Sequence, residues 1–157
     1  MKAQLLLAWN IHNRHHLLLL SHLTETSLSA SLSPRGRTVG EQLAHLHNTR
    51  LKWIEAVAKT LYKKDLLLSK ESSRNTSLLR EAFKQSADLI GQIIHSSWEN
   101  GGKLPSFSTG LIPFISYLIS HESHHRGNIL LTLKQSGQKL PEDLKWGLWE
   151  WNKTPGR

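Results

Sequence analysis

The chain contains no cysteine. That excludes disulfides, thiolate nucleophiles and cysteine-based zinc sites, so a site for a transition metal has to be built from nitrogen and oxygen ligands. No apolar run approaches the roughly 20 residues that a membrane-spanning helix needs. The stretch from Met1 to Leu20 is rich in leucine, but Trp9, Asn10, His12, Asn13, Arg14, His15 and His16 interrupt it, and no small-residue cleavage site follows. A soluble, cytoplasmic protein is expected. Acidic residues are also scarce, 12 against 20 lysines and arginines, for a net charge of +8. Such a balance can recruit nucleic acid or a membrane surface. Here no run of five like charges occurs and the basic residues are spread through every segment, the pattern of solvated helix faces. Internal repeats are absent as well.

What is present is enough apolar residue, 38% of 157, to enclose the core of one domain. Apolar spacing of three and four, with few β-branched runs, predicts an all-α chain of four main helices, at about residues 2–22, 38–62, 76–99 and 111–135. Thr38 with Glu41 three residues on forms a capping box that opens the second helix. Asn100-Gly101-Gly102 ends the third. Pro113 is tolerable in the first turn of the fourth, and Gly137 stops it. The stretch from Thr24 to Arg37 reads as a loop. Beyond Pro141 the tail carries Trp146, Trp149 and Trp151, which are expected to cap the core.

With cysteine gone, the 10 histidines become the informative residues. In Ser120-His121-Glu122-Ser123-His124-His125-Arg126-Gly127, His121 and His125 stand one helical turn apart on one face, at the margin of the stripe Leu111, Ile115, Leu118, Ile129 and Leu133. Imidazoles turned toward leucines need partners for their nitrogens, and one metal ion serves both. A second cluster, His45-Leu46-His47-Asn48, lies on another helix. The apolar stripe Val39, Leu43, Leu46, Trp53, Ile54, Val57 and Leu61 places His47 inside and His45 on the more polar side, so spacing alone selects His47. His124 falls away from the stripe. Glu122 reads either as a group that orients a ligand imidazole or accepts a proton, or as the i,i+4 partner of Arg126. Arg126 before Gly127 reads either as a close helix contact or as an anion-binding arginine.

Thr38-Val39-Gly40-Glu41-Gln42-Leu43-Ala44-His45-Leu46, followed by His121-Glu122-Ser123-His124-His125-Arg126-Gly127-Asn128-Ile129, resembles the DinB/YfiT-like superfamily of metalloenzymes. The likeness extends from the first helix to Trp149-Glu150-Trp151. It implies a four-helix bundle, often a homodimer, that holds a nickel- or zinc-type ion. By position in the motif the implied ligands are His45, His121 and His125, with His47 kept as the alternative to His45. Asn128 stands where relatives commonly carry glutamine. A DNA polymerase shares the name, but this chain is far too short for one and lacks the acidic metal cluster that polymerases need.

Three histidines leave a coordination position open, as catalytic sites do. The resemblance then implies a metal-dependent enzyme acting on a small-molecule substrate, foremost an S-transferase that uses a low-molecular-weight thiol on small electrophiles, with metal-assisted hydrolysis as a variant. Arg126 or Arg50 would assist an anionic thiol or substrate. The alternative is a noncatalytic, stress-related metal-binding protein, which requires a fourth protein ligand such as His47, His12 or His16. Nucleic-acid binding ranks last.

Overall fold

Side-chain caps set the helix starts. Thr38 Oγ1 accepts from the Glu41 N–H at 3.2 Å while Glu41 Oε2 accepts from the Thr38 N–H at 2.9 Å, the reciprocal pair of a capping box. Asn75 Oδ1 accepts from the Leu78 N–H at 3.0 Å in the same way. In the computed structural model, which describes residues 1–152, six helices follow: α1 Lys2–Ser21, α2 Glu25–Ser29, α3 Val39–Val57, α4 Thr76–Glu99, α5 Leu111–Gln135 and α6 Glu142–Gly147. Four of them are long, and no strand occurs among the described residues. None is long and apolar enough to cross a membrane. The α4–α5 connection turns on Gly101 and Gly102, whose φ of 66° and 75° lie in the left-handed region that glycine enters without steric cost.

α1 packs along α4 and also meets α5, while α3 packs against both α4 and α5. Their buried faces form two apolar clusters. One gathers Leu19, Leu20, Leu43, Leu46, Phe83, Ile129 and Leu133; the other gathers Trp9, Leu51, Ile54, Ile90, Ile94, Phe114, Ile115 and Leu118. Each long helix contributes to both, and between its two contributions it carries buried polar residues: His12 and His16 on α1, His47 and Arg50 on α3, Ser86 on α4, Glu122 and Arg126 on α5. The core is therefore divided by a polar layer, whose charges are tolerable inside only if paired and hydrogen-bonded.

Three expectations are corrected. α3 stops at Val57, not near residue 62, because Ala58 leaves helical geometry (φ −153°, ψ 61°) and Lys59–Leu61 form a 3-10 turn. The chain folds back there, and Asn48 fastens it by donating to the Leu68 carbonyl and accepting from the Leu68 N–H, both at 2.9 Å. The stretch from Thr24 to Arg37 is not all loop: Thr24 Oγ1 accepts from the Ser27 N–H at 3.2 Å, opening α2, which buries Leu28 against α3. Of the tail's tryptophans, Trp151 packs edge-on against the buried His15 at 5.2 Å, but the other two do not cap the core. Leu140, Leu144 and Leu148 do, while Trp146 and Trp149 are 67% and 77% exposed.

Candidate metal centre

His45 leaves α3 toward α5, and His121 and His125 meet it from successive turns of that helix. Ring centroids lie 5.0 Å apart for His45 and His125, 4.8 Å for His121 and His125, and 5.8 Å for His45 and His121. One nitrogen from each ring lies within 4.8 Å of the others. Imidazole nitrogens sharing an ion at about 2.0–2.1 Å from it lie roughly 3.3 Å apart, so ring adjustments of about 1 Å close the set. All three side chains are partly open to solvent. Tyr117 stacks on His121 at 5.9 Å and 21°, and Trp53 Nε1 donates to the Tyr117 hydroxyl at 3.4 Å.

The donor chemistry fits a divalent transition ion. Burial, then neighbouring His121, His45 and His124, and Arg37 hold His125 down to about 4. Burial, then Arg37, His121 and Lys52, lower His45. Near neutral pH these two rings are thus in the uncharged, ligating form. His121 Nδ1 is shut off from solvent and bonded to no protein group among the described residues, as are Nδ1 of His12, His16 and His47. No fourth His, Cys, Asp or Glu joins the group among the described residues. The walls beyond are polar, with Arg37, Gln42, Asn128 and Thr132 next to His125 and Lys52, Asn48 and the Glu41–Lys70 ion pair next to His45.

A second group, His12, His16 and Glu122, also brings three ligand types together. Its geometry is that of a completed hydrogen-bond network. Arg50 grips Glu122 with two bonds of 2.7 Å, Nε to Oε1 and Nη2 to Oε2, and Oε2 also lies 2.8 Å from His12 Nε2 and 2.9 Å from His16 Nε2. Arg50 further donates to Asn13 Oδ1 at 2.9 Å, and its guanidinium lies between the rings of Trp9 and Phe83, 4.7 and 4.8 Å from their centroids. Burial alone would raise the Glu122 carboxyl, but the Arg50 charge and the bonds from Arg50, His12 and His16 outweigh it and hold it well below the ordinary carboxylate range. Burial lowers both imidazoles despite Glu122, so each is neutral; His12 donates to the carboxylate through Nε2–H, and His16 Nε2 lies 3.3 Å from His12 Nε2 beside it. A dication here would displace that proton beside two guanidiniums, which repel it. The three-histidine group carries no such opposing charge within its ring of ligands.

A sequence model of the DinB family matches residues 1–152. The chain belongs to the DinB family. No curated protein and no solved structure matches it.

In this DinB chain the three motif-derived residues meet at one point, and His47 is elsewhere. His47 is fully buried, as its place on the apolar stripe requires, but its Nε2 donates to the Leu66 carbonyl at 2.8 Å and anchors the returning 59–68 segment. His12 and His16 belong to the Glu122 network, so neither supplies a fourth ligand. Glu122 neither orients a ligand imidazole nor pairs with Arg126; it points into the core. Arg50 is consumed by Glu122, and Arg126 lines a cavity that none of the three histidines touches, which removes both from the site. The cations beside the imidazoles are Arg37 and Lys52, which sequence reasoning missed. Lys52 stands seven residues after His45, on the same helical face, and that spacing was a usable signal. Arg37, in a loop, gave none. His124 is exposed, within 3.3 Å of Asn128.

Proposed function

We propose that this DinB-family protein is a metal-dependent enzyme: one domain, a four-helix bundle associating as a homodimer in the cytoplasm, with His45, His121 and His125 holding a single nickel or zinc ion. The observation that carries the reading is the convergence of three imidazoles from two helices with no fourth protein ligand beside them. An ion so held supplies a Lewis acid with a free coordination position, able to bind and activate a thiolate or water. The reaction we favour is transfer of a low-molecular-weight thiol to a small electrophile. Since the chain has no cysteine, the sulfur comes from a cosubstrate. Arg37 and Lys52 give the approach a positive potential suited to an anionic thiol, and the stacked Tyr117 and Trp53 offer an apolar wall. A noncatalytic storage or sensing role would call for saturated coordination.

Elemental analysis after reloading with nickel or zinc tests the site. Wild type and His47→Ala should retain near-stoichiometric metal, and His45→Ala and His125→Ala should lose it. Retention by His45→Ala with loss by His47→Ala would transfer the third ligand to His47. Absence of stoichiometric metal from wild type would remove the enzymatic reading. Metal-dependent consumption of a model electrophile by a small thiol, lost in His125→Ala, tests the chemistry.

A further inference from the structure

We propose that the cavity between α5 and the C-terminal segment is a second binding site, for a small amphipathic monocarboxylate: one carboxylate on an aromatic or branched apolar body, gripped by Arg126. The inference is independent of the metal centre, since no metal-site histidine lines this cavity.

The first argument is charge. Arg50 and Arg126 are both buried, Arg126 only 9% exposed, yet among the described residues Glu122 is the one carboxylate in their layer. Both Glu122 oxygens are taken by Arg50, and one of them also by two imidazoles. Arg126 forms no ion pair among the described residues. Its Nη1 lies 3.4 Å from His16 Nε2, a nitrogen of a neutral imidazole that is also 2.9 Å from Glu122 Oε2 and 3.3 Å from His12 Nε2, so this contact brings Arg126 no counter-charge. Ser123 Oγ, 3.2 Å from Nη2, and that imidazole are the acceptors a group with five N–H donors finds among the described residues, and neither is charged. A buried guanidinium in this condition is stabilised by a planar, bidentate anion.

The second argument is shape. The cavity encloses about 680 Å³, within the size range of small-molecule sites. Its lining joins Arg126 to Leu130, Leu148, Trp149 and Trp151 and includes two exposed lysines, Lys134 and Lys145. Trp146 and Trp149, left exposed here, are the large apolar surface that a ligand would cover. Arg126 is the one buried cation of this lining, the two lysines being exposed and Lys145 paired with Glu142, and the apolar walls beside it favour a monoanion with an apolar body over a phosphate. Gly127 supports this assignment. A side chain there would meet nothing within 4 Å, so the glycine is not needed for helix contact, and its bareness leaves the cavity open beside Arg126.

Metal-stripped wild-type protein should bind phenylbutyrate saturably, with a change in tryptophan emission and a matching calorimetric isotherm. Neutral phenylbutyramide should bind at least about tenfold more weakly, the loss expected for one hydrogen-bonded charge. Arg126→Gln should weaken the acid by a similar factor. Gly127→Phe, which fills the cavity and leaves the polar layer alone, should abolish binding of both compounds while His45→Ala leaves it unchanged. If Arg126→Gln fails to fold, Gly127→Phe and the acid-to-amide ratio still decide. Failure of the acid to saturate, equal affinity for acid and amide, or undiminished binding by Gly127→Phe would each overturn the proposal.

Discussion

His47 makes a quantitative prediction about acid stability. Its ring is fully buried and its Nε2–H donates to Leu66, and burial holds it down to about 4 in the folded protein. In the unfolded chain an imidazole titrates near 6.5. As pH falls below that value the unfolded state takes up a proton that the folded state refuses, so stability present above about pH 6.5 is lost progressively until about pH 4. Between pH 7 and pH 5 this one residue should remove about 2 kcal/mol. Substitution His47→Gln keeps an N–H donor for Leu66 but cannot titrate. Urea unfolding of metal-stripped protein at the two pH values should therefore show wild type losing about 2 kcal/mol more than the variant. His12, His15 and His16, also lowered chiefly by burial, steepen the acid dependence equally in both proteins and cancel from the difference. Equal losses in wild type and His47→Gln would refute the claim that His47 is neutral in the fold.

Other predictions concern the packing that holds the site. A Cβ at Gly40 would sit 2.0 Å from the Ser73 carbonyl oxygen, so Gly40→Ala should destabilise by about 1–3 kcal/mol in spite of its better helix propensity. Gly91→Ala, on α4 with nothing within 4 Å, should instead raise the thermal midpoint, by about 1 kcal/mol in stability. Calorimetric scans of the two variants should move in opposite directions, and a shift of the same sign in both would contradict the packing described here. Glu122→Gln, which leaves Arg50 buried without a counter-charge, should cost about 3–5 kcal/mol in urea unfolding.

Local signals made part of this readable in advance. The Thr38 box, the α4 and α5 spans and the turn i to i+4 that unites His121 and His125 all depend on residues within a few positions of each other, and all appear as read. The wheel identified a buried histidine correctly in His47 but not what buries it, because the Leu66 carbonyl arrives through a fold-back that periodicity does not encode. The motif, which carries positional information the wheel lacks, placed His45 beside the pair. The polar layer was not readable at all. His12, Arg50 and Glu122 stand 38 and 72 residues apart in sequence, and only the relative register of three helices decides that they meet. The tryptophans misled for a related reason: bulk and apolarity argued for burial, while the three leucines spaced by four in the same tail already filled the place.

That register links the layer to the metal centre. Glu122 follows His121 directly and lies in the same turn as His125, while Arg50 stands five residues after His45 on α3. The bidentate Arg50–Glu122 pair therefore clamps the two helices that supply all three imidazoles, within about a turn of the place where they converge. Sliding α5 by one turn against α3 would move His121 and His125 about 5 Å along the axis, past His45. A buried ion pair contributes little net stability compared with apolar packing, and fixing register is its best-attested use. Glu122→Gln, assayed in conditions where it remains folded, should accordingly lower metal affinity about 10- to 100-fold although residue 122 touches no ligand. Unaltered affinity in a folded Glu122→Gln protein would mean that apolar packing alone sets the register, and that the layer serves the centre in no way.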